Sequence, residues 1–284
     1  MTQSVSTPDA METFHGATIQ HGPFSNRIYV MKAGEESPES LTRALCGLAR
    51  ERGYTKIFAK LPASHEAAFV DSGFRTEARV SGYFLGGENA VMMGLFLDEA
   101  RARPADPDEL DRVLEIARLK AGAGEGISAK IEGGAIRPCL PADAEAMAAI
   151  YRDVFPTYPF PIYDPSYLVE TMKTHIAYFG AEIDGELAAL ASSEMDLGAK
   201  AVEMTDFATL PAWLGRGCAV KLLAAMEGAM RERGIVTAFT IARAVSPGMN
   251  VTFAKLGYEF NGRLVNNTQI SGSIESMNVW SKAL

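Results

Sequence analysis

At 284 residues the chain is long enough for two domains or one large one, and 48% hydrophobic with 22% charged residues is the balance of a soluble globular protein. A net charge of −8 argues against a nucleic-acid partner, whose phosphates want a basic face, and no run approaches about 18 apolar residues, so no membrane span is expected. Three scattered cysteines (Cys46, Cys139, Cys218) give neither a disulfide framework nor a metal-ligand spacing, and the polar N-terminus has no signal-peptide pattern; a reducing cytoplasm is the expected setting.

In chain order, residues 1–24 are polar and mixed, and are expected to be a loose arm with at most one short strand. Asn26 to Met31 reads as a strand, Ser37-Pro38 opens a helix striped by Leu41, Leu45 and Leu48 and ended by Gly53, Lys56 to Lys60 is a strand, and Ser64 to Ser72 a short helix. Tyr83 to Leu85 and Ala90 to Leu97 are predicted strands. Asp108 to Lys120 is a linking helix, and Gly122 to Gly126 a glycine-rich hinge. These signals predict an N-terminal domain over 25–121, a linker over 122–133 and a second domain over 134–284.

The second domain opens with a strand at Ala135 to Arg137 and a helix from Pro141 to Phe155. Pro156 to Asp164 is rich in proline and aromatics, and suits either a mobile loop or a rigid, packed connection. Tyr167 to Lys173 is helical, and Ala177 to Ile183 and Leu187 to Glu194 form a hairpin on Asp184-Gly185. Val202 to Thr209 is a half-buried strand. Gly215-Arg216-Gly217 then feeds a helix whose apolar stripe is Ala219, Leu222, Leu223, Met226 and Met230. A glycine turn opening a helix points backbone N–H groups outward and can hold a phosphate, though the same turn also fits an ordinary strand-to-helix connection. Ile235 to Ala242 is a strand, Ser246-Pro247 starts a short helix to Leu256-Gly257-Tyr258, and Leu264 to Ile270 and Met277 to Lys282 close the sheet.

One internal echo stands out. Arg50-Glu-Arg-Gly53 matches Arg231-Glu-Arg-Gly234, and Phe69-Val-Asp-Ser-Gly-Phe74 matches Phe253-Ala-Lys-Leu-Gly-Tyr258. The first domain therefore reads as a partial copy of the second, although chance similarity of two βαβ segments is the rival account. It lacks the glycine turn, and Glu35 and Glu36 before its helix would repel a pyrophosphate.

The order strand, Gly215–Ala219 turn, long helix, strand, Asn250-bearing helix and Leu-Gly-aromatic resembles the coenzyme-A-binding half of the GNAT superfamily of N-acetyltransferases. Tyr158 to Asp164, Glu203 to Pro211, Thr240 to Ala244 and Glu275 to Trp280 are similar, more closely, to the β-lysine N-acetyltransferases. The resemblance implies an α/β (α+β) GNAT fold, with a mixed, mostly antiparallel sheet flanked by helices. It implies an acetyl-CoA-dependent transfer of acetyl to an amine of a small diamino acid, the ε-amine of β-lysine, by direct attack in a ternary complex. The acidic charge of the chain is compatible with a cationic acceptor. Another amino acid or a polyamine as acceptor, and a non-catalytic acetyl-CoA sensor, are the alternatives. The expected partners are the small-molecule amine and acetyl-CoA, with a homodimer as an option and with no metal, nucleic acid or membrane.

By the same resemblance, the cofactor contacts fall on Phe207, Ala208, Thr209, Leu214, Gly215, Arg216, Gly217, Cys218, Ala219, Asn250 and Phe253. Leu214 stands where the family has Arg or Gln, and Phe253 where it usually has the tyrosine that protonates the leaving thiolate. An ammonium must lose its proton before attack, so a carboxylate has to take it; Glu203 is the first candidate. Asp206 lies on the opposite face by strand alternation unless a bulge intervenes, as it does in this superfamily. The amide of Phe207 or Ala208 would face the carbonyl oxygen. Tyr258 is the substitute acid. Glu194, Tyr158, Asn266, Asn267, Glu275 and Asn278 are the expected acceptor contacts. Cys218 at a helix start could pass for a nucleophile, but no histidine is near it in sequence.

Overall fold

The computed structural model describes residues 9–124 and 126–284. The strands are β1 (Ala10–Phe14), β2 (Ala17–Gly22), β3 (Arg27–Lys32), β4 (Lys56–Pro62), β5 (Arg75–Phe84), β6 (Glu88–Phe96), β7 (Gly134–Pro138), β8 (Ile176–Ile183), β9 (Glu186–Asp196), β10 (Ala201–Thr209), β11 (Thr237–Arg243), β12 (Glu259–Ile270) and β13 (Ser273–Ala283). The helices are α1 (Pro38–Arg52), α2 (Glu66–Asp71), α3 (Pro107–Arg118), α4 (Ala144–Val154), α5 (Pro165–Met172), α6 (Cys218–Glu232) and α7 (Pro247–Lys255). All thirteen strands join one sheet in the order β1-β2-β3-β4-β6-β5-β12-β13-β11-β10-β9-β8-β7.

The two ends of that sheet run in the same pattern. β3 and β4 are parallel, β4 is antiparallel to β6, and β6 to β5. Likewise β10 and β11 are parallel, β11 is antiparallel to β13, and β13 to β12. The echoed segments end helices in the same way. Tyr54 N–H donates to Ala49 O and Ile235 N–H to Met230 O, while Phe74 N–H donates to Phe69 O and Tyr258 N–H to Phe253 O. Each of these closures passes a glycine at positive φ: Gly53, Gly234, Gly73 and Gly257.

The halves meet at β5 and β12, bridged at Gly262 and Ala78. Gly262 has φ 144, and a Cβ there would run into the Glu77 carbonyl, so only glycine permits the approach. β12 is irregular past this point. Side chains from the first half satisfy its backbone: Lys56 Nζ donates to Val265 O (2.8 Å), Val265 N–H donates to Glu77 (2.7 Å), and Arg101 Nε donates to Asn266 O (2.6 Å). Lys56 and Glu77 form a buried ion pair at 2.7 Å.

Two expectations change. Residues 10–22 form the β1–β2 hairpin rather than a loose arm, because Ala17 and Ile19 are buried in the core under α1; residues 1–8 lie outside the described part. The expected boundary at 121 also fails as a packing boundary. Leu114 and Ala117 of α3 are buried with α6 and α7 in the second half's core, and the hinge is tied down, with Gly122 and Gly124 N–H donating to Ala254 and Lys255 O. Glu125 of that hinge is not among the described residues. α1 and α2 cover the first half, α3, α6 and α7 the second, and α4 and α5 close the far end. The opposite faces of both halves share a third core, in which Tyr29 and Phe58 pack with Phe239 and Met277. Among the described residues no helix is long and apolar enough to cross a membrane.

Candidate active site

β10 builds the site. Its parallel pairing with β11 stops at Glu203 opposite Phe239, so beyond that residue the β11-facing backbone groups have no strand partner. Against β9 the ladder runs to Thr205 opposite Ser192 and resumes at Ala208 opposite Leu190, which leaves Asp206 and Phe207 as a bulge. Asp206 takes φ 55 there. The bulge breaks period-2 alternation and turns Asp206 to the same side as Glu203. Both line a partly open cavity between the two halves, together with Glu194.

Burial raises all three carboxylates, and repulsion from a neighbouring carboxylate adds to it at Glu203 and Glu194. Glu203 and Glu194 face each other directly across β10 and β9. Burial, then Glu194, pushes Glu203 up to about 8, against the pull of Lys60 and the Ile241 backbone N–H. Burial also raises Glu194, with Lys60 opposing and Asp206 adding to it. Asp206 is raised by burial even though it accepts from Ser192 Oγ (2.5 Å) and from the Tyr158 hydroxyl. Burial and the carboxylate beside it push the Tyr158 phenol well above its ordinary value. Lys60 of β4 supplies the facing cation. Burial works against its charge, but Tyr29, Tyr83 and Glu203 outweigh that and hold it above ordinary lysine, with Nζ donating to the Tyr83 hydroxyl at 3.0 Å.

The turn into α6 is open. Gly217 is the N-cap at φ 75 and ψ 18, no side chain caps the helix, and no acidic residue stands in its first turn. Gly215 and Gly217 have no neighbour within 4 Å of a would-be Cβ, and the Arg216 guanidinium lies 4.6 Å from the Trp213 ring centre. Leu214 is exposed. The turn thus presents free helix amides and a cation to solvent, the donor set an anion needs. Cys218 is buried, its thiol raised by burial and aimed at the Trp213 carbonyl, so it is no nucleophile.

Of the other predicted residues, Tyr158, Phe207, Phe253 and Asn267 line the cavity, and Ala208 and Thr209 continue β10 past the bulge. Tyr258 does not reach the cavity. It starts the chain into β12 on the helix-covered face, buried beside Glu227, and so cannot serve as the acid proposed for it. Asn250 is fully buried; Nδ2 donates to the Arg243 and Ser246 carbonyls, and Oδ1 accepts from Asn278 and Trp280. It ties β11, α7 and β13 together and has no hydrogen-bonding capacity left for a ligand arm, while Asn278 donates to it and accepts from Arg263 Nε. Glu275 is held by Arg243 through two hydrogen bonds (2.6 and 2.8 Å). Asn266 faces the other way, donating to the Arg101 and Arg103 carbonyls, because the irregular ladder between Leu264 and Thr268 sends neighbouring side chains apart. The Pro156–Asp164 stretch is a packed connection: Tyr163 donates to Phe155 O, Arg152 to Tyr163 O, and Gln20 to Pro159 O.

Arg27, Tyr29, Phe58 and Lys60 also line the cavity and were missed by sequence reasoning. Their signal was a cation set inside each of two apolar strands.

A family model described as Acetyltransferase (GNAT) family matches residues 144–258. Over nearly its whole length the chain is similar to the Beta-lysine N(6)-acetyltransferase of Methanococcus maripaludis, 37% identical over 265 residues that cover 93% of this chain and 95% of that one. The chain belongs to the GNAT family of acetyltransferases. Its GNAT relatives include the Beta-lysine N(6)-acetyltransferase of Methanosarcina mazei, 32% identical over 87% of this chain and 97% of that one. The N-acetyltransferase YodP of Bacillus subtilis is 30% identical over 94% and 96%. As a GNAT acetyltransferase the protein is an acyl-transferring enzyme, and the open turn at Gly217 and the three carboxylates of the cavity lie inside the matched region, on α6, β9 and β10.

Proposed function

We propose that the protein transfers acetyl from acetyl-CoA to the ε-amine of β-lysine, by direct attack with both substrates bound, in the making of a compatible solute. The observation that carries this reading is the buried trio Glu203, Glu194 and Asp206, set beside strands that part and a helix start whose amides are free. A diamino acid brings two ammonium groups to that trio, and the two relatives named for β-lysine match nearly the whole chain, first half included.

Acetyl-CoA supplies an activated acetyl thioester. The amides of residues 217–219, with Arg216, would hold its pyrophosphate, and the edge of β10 from Thr205 to Thr209 that pairs with no β11 residue would hold its arm. Glu203 accepts the proton of the attacking ammonium; a base near 8 suits a donor whose ordinary pKa is about 10.4. Glu194 and Asp206 hold the cation in place, and Asp206 is itself fixed by Tyr158 and Ser192. The amides of Phe207 and Ala208, past the bulge, polarise the carbonyl oxygen; as the C–N bond forms the C–S bond breaks, and CoA leaves as the thiolate, which takes its proton without a side-chain acid. The first half supplies one wall of the cavity, through Arg27, Tyr29, Phe58 and Lys60. We read that half, with its matching strand order and closures, as a second copy of the half-fold kept for this purpose.

The test is thiol release from acetyl-CoA with β-lysine, α-lysine, ornithine, spermidine and a lysine peptide. Fast release with β-lysine alone is expected. Equal rates with several acceptors would remove the β-lysine assignment and leave the transfer chemistry.

A further inference from the structure

The cavity has a second charged end that proton transfer does not use. Three cations line it: Lys60, Arg243 and Arg27. Lys60 faces the carboxylate trio, and Arg243 has its fork occupied by Glu275. Arg27 of β3 is 4% exposed, and no carboxylate pairs with it among the described residues. Its Nη1 donates to Asn267 O (2.6 Å) and Thr268 Oγ1 (3.0 Å), and its guanidinium lies 5.2 Å from the Tyr29 ring centre. Its Nε is buried without a partner, and so is Oδ1 of the neighbouring Asn267. The acids whose charge reaches it, Asp9 and Glu77, are engaged elsewhere: Asp9 by the Phe24 and Ser25 amides, Glu77 by Lys56 and Val265. A buried guanidinium without a counter-ion, with hydrogen-bonding capacity left over on a residue that lines a cavity, is a candidate site for an anionic ligand group.

We propose that Arg27 binds the carboxylate of the acceptor, so that the first half of the chain reads the end of the substrate opposite its reacting amine. This rests on the acceptor's being a small amino acid. β3 and β4 are in parallel register with Arg27 opposite Lys56, which places Lys60 four residues further along the cavity wall. At about 3.3 Å per residue that is on the order of 13 Å. Arg27 is anchored on Asn267 and Thr268 of β12, and β13 and β11 lie between β12 and the β10 strand that carries Glu203, so the anion-binding end and the ammonium-binding end are separate. An acceptor with a carboxylate at one end and an amine at the other satisfies both. A plain diamine leaves Arg27 unpaired.

The experiment compares β-lysine with β-lysinamide, first on the wild type, then on Arg27→Met and Arg27→Lys, with thermal unfolding and acetyl-CoA affinity measured on each. The wild type is expected to prefer β-lysine on the order of 100-fold in kcat/KM, mostly through KM, as for loss of a buried charge-assisted hydrogen bond. In Arg27→Met the preference falls to about threefold or less, and in Arg27→Lys to an intermediate value, since a point charge replaces the fork. Arg27→Lys also reports if Arg27→Met does not fold. A wild type indifferent to the amide overturns the proposal, and so does a preference that survives in both variants. A wild type that acetylates neither compound but does acetylate another amine overturns the β-lysine reading instead. If that amine carries a carboxylate, the same ratio is then taken with its own amide.

Discussion

α1 and α6 hold corresponding places in the two halves, each following a strand whose parallel neighbour comes next in the chain. Their last turns close alike on Gly53 and Gly234, but their first turns are opposites. α1 is capped by Ser37, whose side chain accepts from Ser40 N–H; Pro38 removes an N–H, and Glu39 sits in the first turn with Glu36 just before it. α6 has none of these: it starts on a left-handed glycine, uncapped and without an acid. On the proposed reading, the comparison teaches that a helix start becomes a phosphate site by what is left off it. α1 satisfies its own amides and gains stability; α6 leaves them free for a ligand.

The two halves can be pulled apart by substitution. The largest effect should come from Lys56→Met, which strands Glu77 and the Val265 carbonyl at the seam. Loss of one partner of a buried pair costs about 3–5 kcal/mol, measured as a fall in the denaturation midpoint. Gly217→Asp copies an acid from the α1 start onto α6 and forces a side chain to adopt φ 75. KM for acetyl-CoA should rise on the order of 100-fold with little change in kcat, as read from initial rates; an unchanged KM would remove the phosphate assignment. The smallest effect is reserved for Ser37→Ala. It should cost about 1 kcal/mol of stability and leave KM for acetyl-CoA where it was, because that helix start is capped by its own side chain and carries an acid. A rise in KM there would contradict the division of labour between the halves.

Much of the second half could be read in the chain itself. The strand, glycine turn and striped helix around Gly217, the Asp184-Gly185 hairpin and the Ser246 cap are local patterns, and they stand where expected. Glu203 reached the cavity for the same reason, by simple alternation along β10. What escaped was set by contacts between distant segments. Arg27 meets Asn267 across 240 residues, and Lys60 meets the carboxylates only because the sheet brings β4 across from β10. Asn266 and Asn267 looked equivalent, yet an irregular ladder sends one to the loop at Arg103 and the other to the cavity. Tyr258 was a plausible acid on position alone, until the start of β12 turned it toward α6.

The most direct test of the account is the pH dependence of kcat/KM for β-lysine in the wild type and in Glu203→Gln. Burial beside Glu194 raises Glu203 to about 8, so the carboxylate becomes available as a base only as pH rises toward that value, and the wild-type profile should climb to a plateau near pH 8. Without it the enzyme depends on free amine, so the variant's profile should climb toward the amine's own pKa of about 10.4, with a loss of about 10²–10⁴-fold near pH 7 that narrows as pH rises. A loss of the same size at every pH, with the wild-type climb near pH 8 still present in the variant, would contradict Glu203 as the base.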